Sequence, residues 1–223
     1  MSATSEKLGN APIPGLLFQQ SVPAMIGFLV MSIYQVVDVY FVSQYVGRLA
    51  IAAINVVLPI TFLISSIGMA IGVGGASIIS RALGAGDPAK AARTFGNQLS
   101  LALGLSVFFV ILGFVFTEPM LRLFGSNDEI LPQATQYLQI LLIGVPFLAW
   151  AMMSNNVIRA EGKPKIAMLT LVIPAVANII LDPILIYYFE MGISGAAWAT
   201  TVGYMSSGLY TLWFFLRGKS EIK

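Results

Sequence analysis

Two aspartates, Asp38 and Asp182, lie inside apolar stretches long enough to cross a bilayer, and they are the only charged side chains here that cannot be assigned near a membrane surface. A carboxylate at membrane depth costs on the order of 2.5–3.5 kcal/mol even on the lenient insertion scale. A pair of them points to a cation or proton site in a transport pathway. Each has a polar neighbour one helical turn earlier, Tyr34 before Asp38 and Asn178 before Asp182, and Gln35 stands three residues before Asp38. Asp38 lies eight residues before Val46, and Asp182 eight before Glu190, where their spans end. At helical rise both carboxylates sit about 12 Å below one surface and can face one cavity. Thr200 and Thr201, early in the last span, reach similar depth. Pro183 has no N–H, so the carbonyl of Ile179 loses its helix partner and can face a ligand. Like charges in such a cavity cannot both ionise cheaply, so the pair retains one proton or one cation. The alternative is an interhelical polar clamp, in which each aspartate satisfies its neighbouring tyrosine or asparagine.

Six segments are apolar over the ~20 residues a span requires: 13–46, 49–80, 95–117, 131–157, 166–189 and 193–216. The sequence therefore predicts an all-α integral membrane protein, a single lobe of six transmembrane helices over residues 1–223. The first two segments exceed the bilayer thickness and must tilt, kink or protrude, with Pro23, Pro59, Pro146 and Pro174 as kink points. Between the third and fourth segments, Met120, Leu121, Leu123 and Phe124 predict a short interfacial helix.

Composition agrees. The chain of 223 residues is 57% hydrophobic and 10% charged, against roughly 25% charged in soluble domains. The net charge of +2 and the lack of a Lys/Arg-rich face give no footprint for nucleic acid. With no cysteine and no histidine, disulfides, thiol nucleophiles and histidine-based zinc sites are excluded, and proton coupling falls to carboxylates or tyrosines. Basic residues orient the bundle. Lys7, Arg81, Lys90, Arg93, Arg159, Lys163, Lys165, Arg217, Lys219 and Lys223 fall on one side, and only Arg48 and Arg122 on the other. This split predicts cytoplasmic N- and C-termini and a multi-pass protein of the plasma (bacterial inner) membrane.

Other motifs read more plainly. Gly84 to Ala89 spells G-x-G-x-x-A, the dinucleotide fingerprint, but a membrane helix and not a strand precedes it. Small residues for helix packing followed by a Gly-Asp-Pro turn account for it better. The same run resembles the G-x-G-D of intramembrane aspartyl proteases, yet Asp87 falls in a basic loop. Asn155 and Asn156, at the end of the fourth span, read as a cap or clamp.

The runs IYQVVDVYFVSQYVG, GVGGASIISRALGAGD, VIRAEGKPKIAM and ANIILDPILIY, in that order, resemble the multidrug and toxic compound extrusion (MATE) transporters over essentially the whole chain. The resemblance implies one lobe, the N-terminal one, of a twelve-helix, two-lobe transporter. It implies a secondary antiporter, not an enzyme, that exports cationic amphipathic drugs in exchange for sodium ions or protons and carries no cofactor. By the same resemblance Asp38, Asn178, Asp182 and Thr200 would bind the sodium ion or proton, and Tyr34, Gln35 and Tyr137 would line the substrate cavity. Small organic cations, the lipid bilayer and a second lobe are the implied partners. That lobe is either a C-terminal half beyond this sequence or a second copy in a parallel homodimer. A lipid-linked flippase would want basic residues in its cavity, and an intramembrane aspartyl protease would pair Asp38 with Asp182.

Overall fold

The structure is a computed structural model and describes residues 11–218, 220 and 222. Lys7, Lys219 and Lys223, which contribute to the charge asymmetry, lie outside the described residues. All regular structure among those described is helical: α1 (Ile13–Tyr45), α2 (Arg48–Gly84), α3 (Pro88–Val115), α4 (Thr117–Leu123), α5 (Leu131–Ala160), α6 (Pro164–Asp182), a π-helical segment (Pro183–Tyr188) and α7 (Ile193–Leu216).

Five of these are long and apolar enough to cross a membrane: α1, α2, α3, α5, and α6 with its π extension. The last helix, α7, has 24 residues, but glycine, serine and threonine dilute its hydropathy. Most of its buried positions are small: Gly195, Ala196, Ala197, Ala199, Gly203, Ser207 and Gly208. Helices in lipid gain from such close backbone approach, so α7 has traded lipid-facing apolar surface for packing surface.

Local chemistry sets the boundaries. The third helix begins at Pro88, ahead of the Phe95 expected from hydropathy, because Asp87 Oδ1 accepts a hydrogen bond from Lys90 N at 2.9 Å. Proline at the first position has no N–H to leave unsatisfied. The short helix expected after the third span is α4. It buries Leu121 with Val42 and Ile193, while Arg122 holds Glu118 at 2.9 Å and Asp128 at 2.8 Å.

At the centre stands α5, packed against α2, α3, α6 and α7. It buries fifteen of its 30 residues, whereas α1 buries only Pro23, Gly27, Asp38 and Val42 out of 33. The first helix lies mainly along α6, with Gly27 seated against Leu171. Its exposed Phe18, Phe28, Leu29 and Ile33 suit hydrocarbon, where every backbone polar group is already satisfied within the helix.

Polar side chains join the inner helices. Asn155 is the clamp that its position foretold: its amide donates to Ala167 O at 2.7 Å and Thr170 Oγ1 at 2.6 Å. Ser207 Oγ donates to Thr170 O at 2.7 Å and Trp150 Nε1 to Gly208 O at 3.0 Å. These bonds tie α5, α6 and α7 into one seam. On the other side, the Gln98 amide of α3 donates to Ile71 O at 2.6 Å and to Gly72 O at 3.3 Å. It fills the space beside Gly75, where a Cβ would collide with the Gln98 carboxamide.

Close approach makes Gly195 the most constrained glycine of α7. A Cβ there would stand 2.9 Å from the carbonyl carbon and oxygen of Leu185, backbone atoms that cannot yield. Gly195→Val is expected to cost about 1–3 kcal/mol by overpacking, read as a lower melting temperature of the protein in detergent. Gly104→Ala in α3, with nothing within 4 Å of the new methyl, is expected to stabilise by roughly 0.5–1 kcal/mol. Equal effects from the two substitutions would contradict the packing described.

Candidate cation site

The site begins as a stripe on α6. Ala167, Thr170, Leu171, Ala175, Asn178 and Asp182 are its buried residues after Pro164, three or four apart along most of the helix and therefore on one face. The stripe that seals the upper helix with alanine and leucine thus carries an amide and a carboxylate at its end. Asp182 has no exposed surface and Asn178 is 2% exposed.

The Asn178 amide nitrogen faces the carboxylate, 2.6 Å from Asp182 Oδ2 and 3.2 Å from Oδ1, since an amide oxygen there would set acceptor against acceptor. Its oxygen then accepts from Thr200 Oγ1 and Thr200 N, both at 3.2 Å. Asn178 therefore bridges Asp182 on α6 to Thr200 on α7. Thr201, its neighbour, points elsewhere and donates to Ile140 O of α5 at 3.1 Å.

Directly after Asp182 the helix widens. Pro183 brings no N–H, and Phe189 N donates to Ile184 O at 2.9 Å, five residues back. A π turn of this kind is rare and recurs at functional sites. Gly195 lets α7 rest on the backbone of this segment at Leu185, and Gly203 brings α7 against Pro174 O, where a Cβ would lie at 3.1 Å. Thr200 sits between these two contacts, which fix its distance from Asn178.

Asp38 arrives from α1. It is 9% exposed, and its Oδ1 is buried with no hydrogen-bond partner among the described residues. It stands on the wall of a cavity of about 210 Å³. Of the residues picked out in the sequence, Tyr34, Gln35, Asp38, Tyr137 and Thr200 line this cavity. Asp182 and Asn178 do not. Asn178 meets the wall at Thr200, to which it is bonded, and Asp182 is bonded to Asn178. The single-cavity picture of two facing carboxylates is thereby corrected to one carboxylate on the wall and one behind it.

Sequence reasoning missed Tyr204, Asn55 and Thr61, which also line the cavity. Tyr204 follows Thr200 by four residues and so shares its helix face. Asn55 is an amide within an apolar run, the kind of signal that exposed Asn178. Among the described residues, no lysine or arginine lines the wall. The arrangement can offer a small cation one unpaired carboxylate oxygen, and an aromatic, largely apolar surface to an organic ligand.

A sequence model of the MatE family matches residues 23–184. Multidrug export protein MepA of Staphylococcus aureus (strain MSSA476) is 31% identical over 215 residues, 96% of this chain and 47% of its own length. MepA of Staphylococcus saprophyticus is 34% identical over 202 residues, 91% of this chain and 45% of its own. The chain spans about half the length of these relatives. Among solved structures, the MATE multidrug transporter DinF-BH, in a complex with a ligand, superposes with a TM-score of 0.93 at 42% identity, over 100% of this chain and 50% of that one. A multidrug resistance MATE family transporter in an outward-facing conformation gives 0.92 at 29% identity, over 100% and 49%. By family profile, sequence and fold together, this chain belongs to the MatE family of multidrug and toxic compound extrusion transporters.

Proposed function

We propose that this chain forms the six-span, cation-coupled lobe of a secondary antiporter that exports cationic amphipathic compounds in exchange for sodium ions or protons. The observation that carries the reading is the buried, unpaired Oδ1 of Asp38 on the cavity wall. A buried acceptor without a donor is costly, and the stable remedy here is a proton or a cation shared with Thr200 and, behind it, Asn178 and Asp182. Sodium prefers oxygen donors, and these four residues supply carboxylate, amide and hydroxyl oxygens. An organic cation entering the cavity competes for the same charge, which links uptake of one to release of the other.

The relatives are multidrug export proteins, which supports the direction of transport. The ligand complex of one structural neighbour supports a cargo held within this fold. The cavity would be completed by a second lobe, since these relatives are about twice as long as this chain. Alternating access would follow from rocking of the two lobes about the fixed site. A flippase for anionic lipid is disfavoured by the lack of a basic residue on the wall among the described residues. An aspartyl dyad is disfavoured by the engagement of Asp182 with Asn178. The charge split supports cytoplasmic termini, and the bacterial relatives support a bacterial inner membrane.

Two outcomes are expected. Asp38→Asn and Asp182→Asn should each reduce gradient-driven efflux of a cationic dye from vesicles to background, with membrane insertion unchanged; undiminished efflux in both variants overturns the coupling role. Sodium and pH jumps applied separately to the same vesicles identify the ion. Asn178→Ala leaves buried acceptors unpaired at a cost of about 1–3 kcal/mol, so coupling-ion affinity should fall roughly ten- to a hundredfold by titration, with a smaller effect on dye affinity.

A further inference from the structure

A third buried carboxylate lies away from the cavity, at the end of the bundle where α5 turns into α6. Glu161 occupies that turn and is 2% exposed. Its backbone completes the helix end, with Glu161 N donating to Val157 O at 3.0 Å and Lys163 N to Ile158 O at 3.2 Å. Gly162 turns the chain at φ 74°, a conformation in which glycine is the least strained residue. Folded over in this way, Glu161 Oε2 accepts from Lys163 Nζ at 2.8 Å. Lys163 in turn lies over the Phe214 ring of α7, 5.5 Å from its centroid.

The other carboxylate oxygen takes a partner from a distant part of the chain. Ser220, beyond the end of α7, donates a hydrogen bond to Glu161 Oε1 and accepts one from Ile222 N at 3.0 Å. Ser220 is 5% exposed. Ile222 then packs on a separate apolar cluster made by Ile79 and Ala82 of α2, Ala91 of α3 and Val157 of α5. Ser220 and Ile222 thus do not leave the bundle. They cross its end, with a polar anchor on the α5–α6 turn and an apolar one beside the α2–α3 turn.

We infer that Ser220 and Ile222 form a strap that locks this end of the lobe, holding α2, α3, α5 and α7 together as one body at the end where neighbouring helices have only short turns between them. The inference rests on the fold alone and is independent of what the cavity carries. Two different interactions hold the strap: the hydrogen bond from the Ser220 hydroxyl to the ion-paired Glu161 carboxylate, and the apolar packing of Ile222. Loss of one leaves the other.

The absence of native cysteine makes the test direct. In the full chain in detergent or nanodiscs, a Glu161→Cys, Ser220→Cys pair should oxidise readily with copper phenanthroline and become protected from maleimide. Persistent reactivity of both thiols overturns the placement. The double variant Ser220→Ala, Ile222→Asp lies outside every helix and leaves the bundle able to fold. Hydrogen exchange in this variant should speed up about tenfold at the α2–α3 and α5–α6 turns, as expected when a local opening is released. Amides flanking Asp38 should keep their rates. Unchanged exchange at the turns, or equal acceleration throughout, overturns the strap.

Discussion

A carboxylate with no exposed surface inside an apolar bundle must be met by a donor, and Asp182 is met by Asn178. That requirement organises much of what surrounds it. Asn178 can turn its nitrogen to Asp182 only if its oxygen finds a donor elsewhere, and Thr200 supplies two. Thr200 is within reach only because Gly195 and Gly203 allow α7 to lie on backbone atoms of the π segment and of Pro174. A methyl at Gly195 would meet the Leu185 backbone at 2.9 Å, and one at Gly203 the Pro174 carbonyl oxygen at 3.1 Å, so both positions crowd the approach on which the bridge depends. The site is thus held from behind by helix packing, and its wall is free to carry Asp38 with an oxygen in reserve.

The bundle divides into parts of unequal stiffness. Hydrogen bonds from Asn155, Ser207 and Trp150 stitch α5, α6 and α7 together, so Asp182, Asn178 and Thr200 sit on a framework. Asp38 sits on α1, which buries four of its 33 residues. A two-carboxylate site split between a stitched framework and a lightly buried helix can change its geometry without disturbing the core.

Much of this was legible in the sequence. The helical, membrane-spanning character, the short α4 and the Asn155 clamp follow from hydropathy and from polar residues at helix ends, whereas among the described residues five helices, not the six expected, are long and apolar enough to cross a membrane. Asp38 and Asp182 announced themselves by depth alone. What could not be read was rotation. Spacing along α6 says that Asn178 and Asp182 share a face, but not that Asn178 meets Thr200 there and that neither lines the cavity, which depends on how closely α7 approaches. Tyr204 stayed hidden for a related reason: a tyrosine in a last helix reads as packing until Thr200 is known to be on the wall. The start of α3 was missed because hydropathy ignores the Asp87–Pro88 cap, although both residues were in plain view.

Gln98 offers a different lesson. Its amide occupies the volume that a side chain at position 75 would need, and it also replaces part of the surface that α2 would otherwise present to α3. Positions 75 and 98 therefore behave as one composite residue divided between two helices. A side chain at position 75 alone displaces the Gln98 carboxamide from the Ile71 and Gly72 carbonyls, and a smaller residue at 98 alone leaves a hole, whereas a reciprocal exchange, with the bulk moved from α3 to α2, preserves volume. In an apolar bundle without cysteines to staple it, such shared volumes set which helix pairings the sequence can encode.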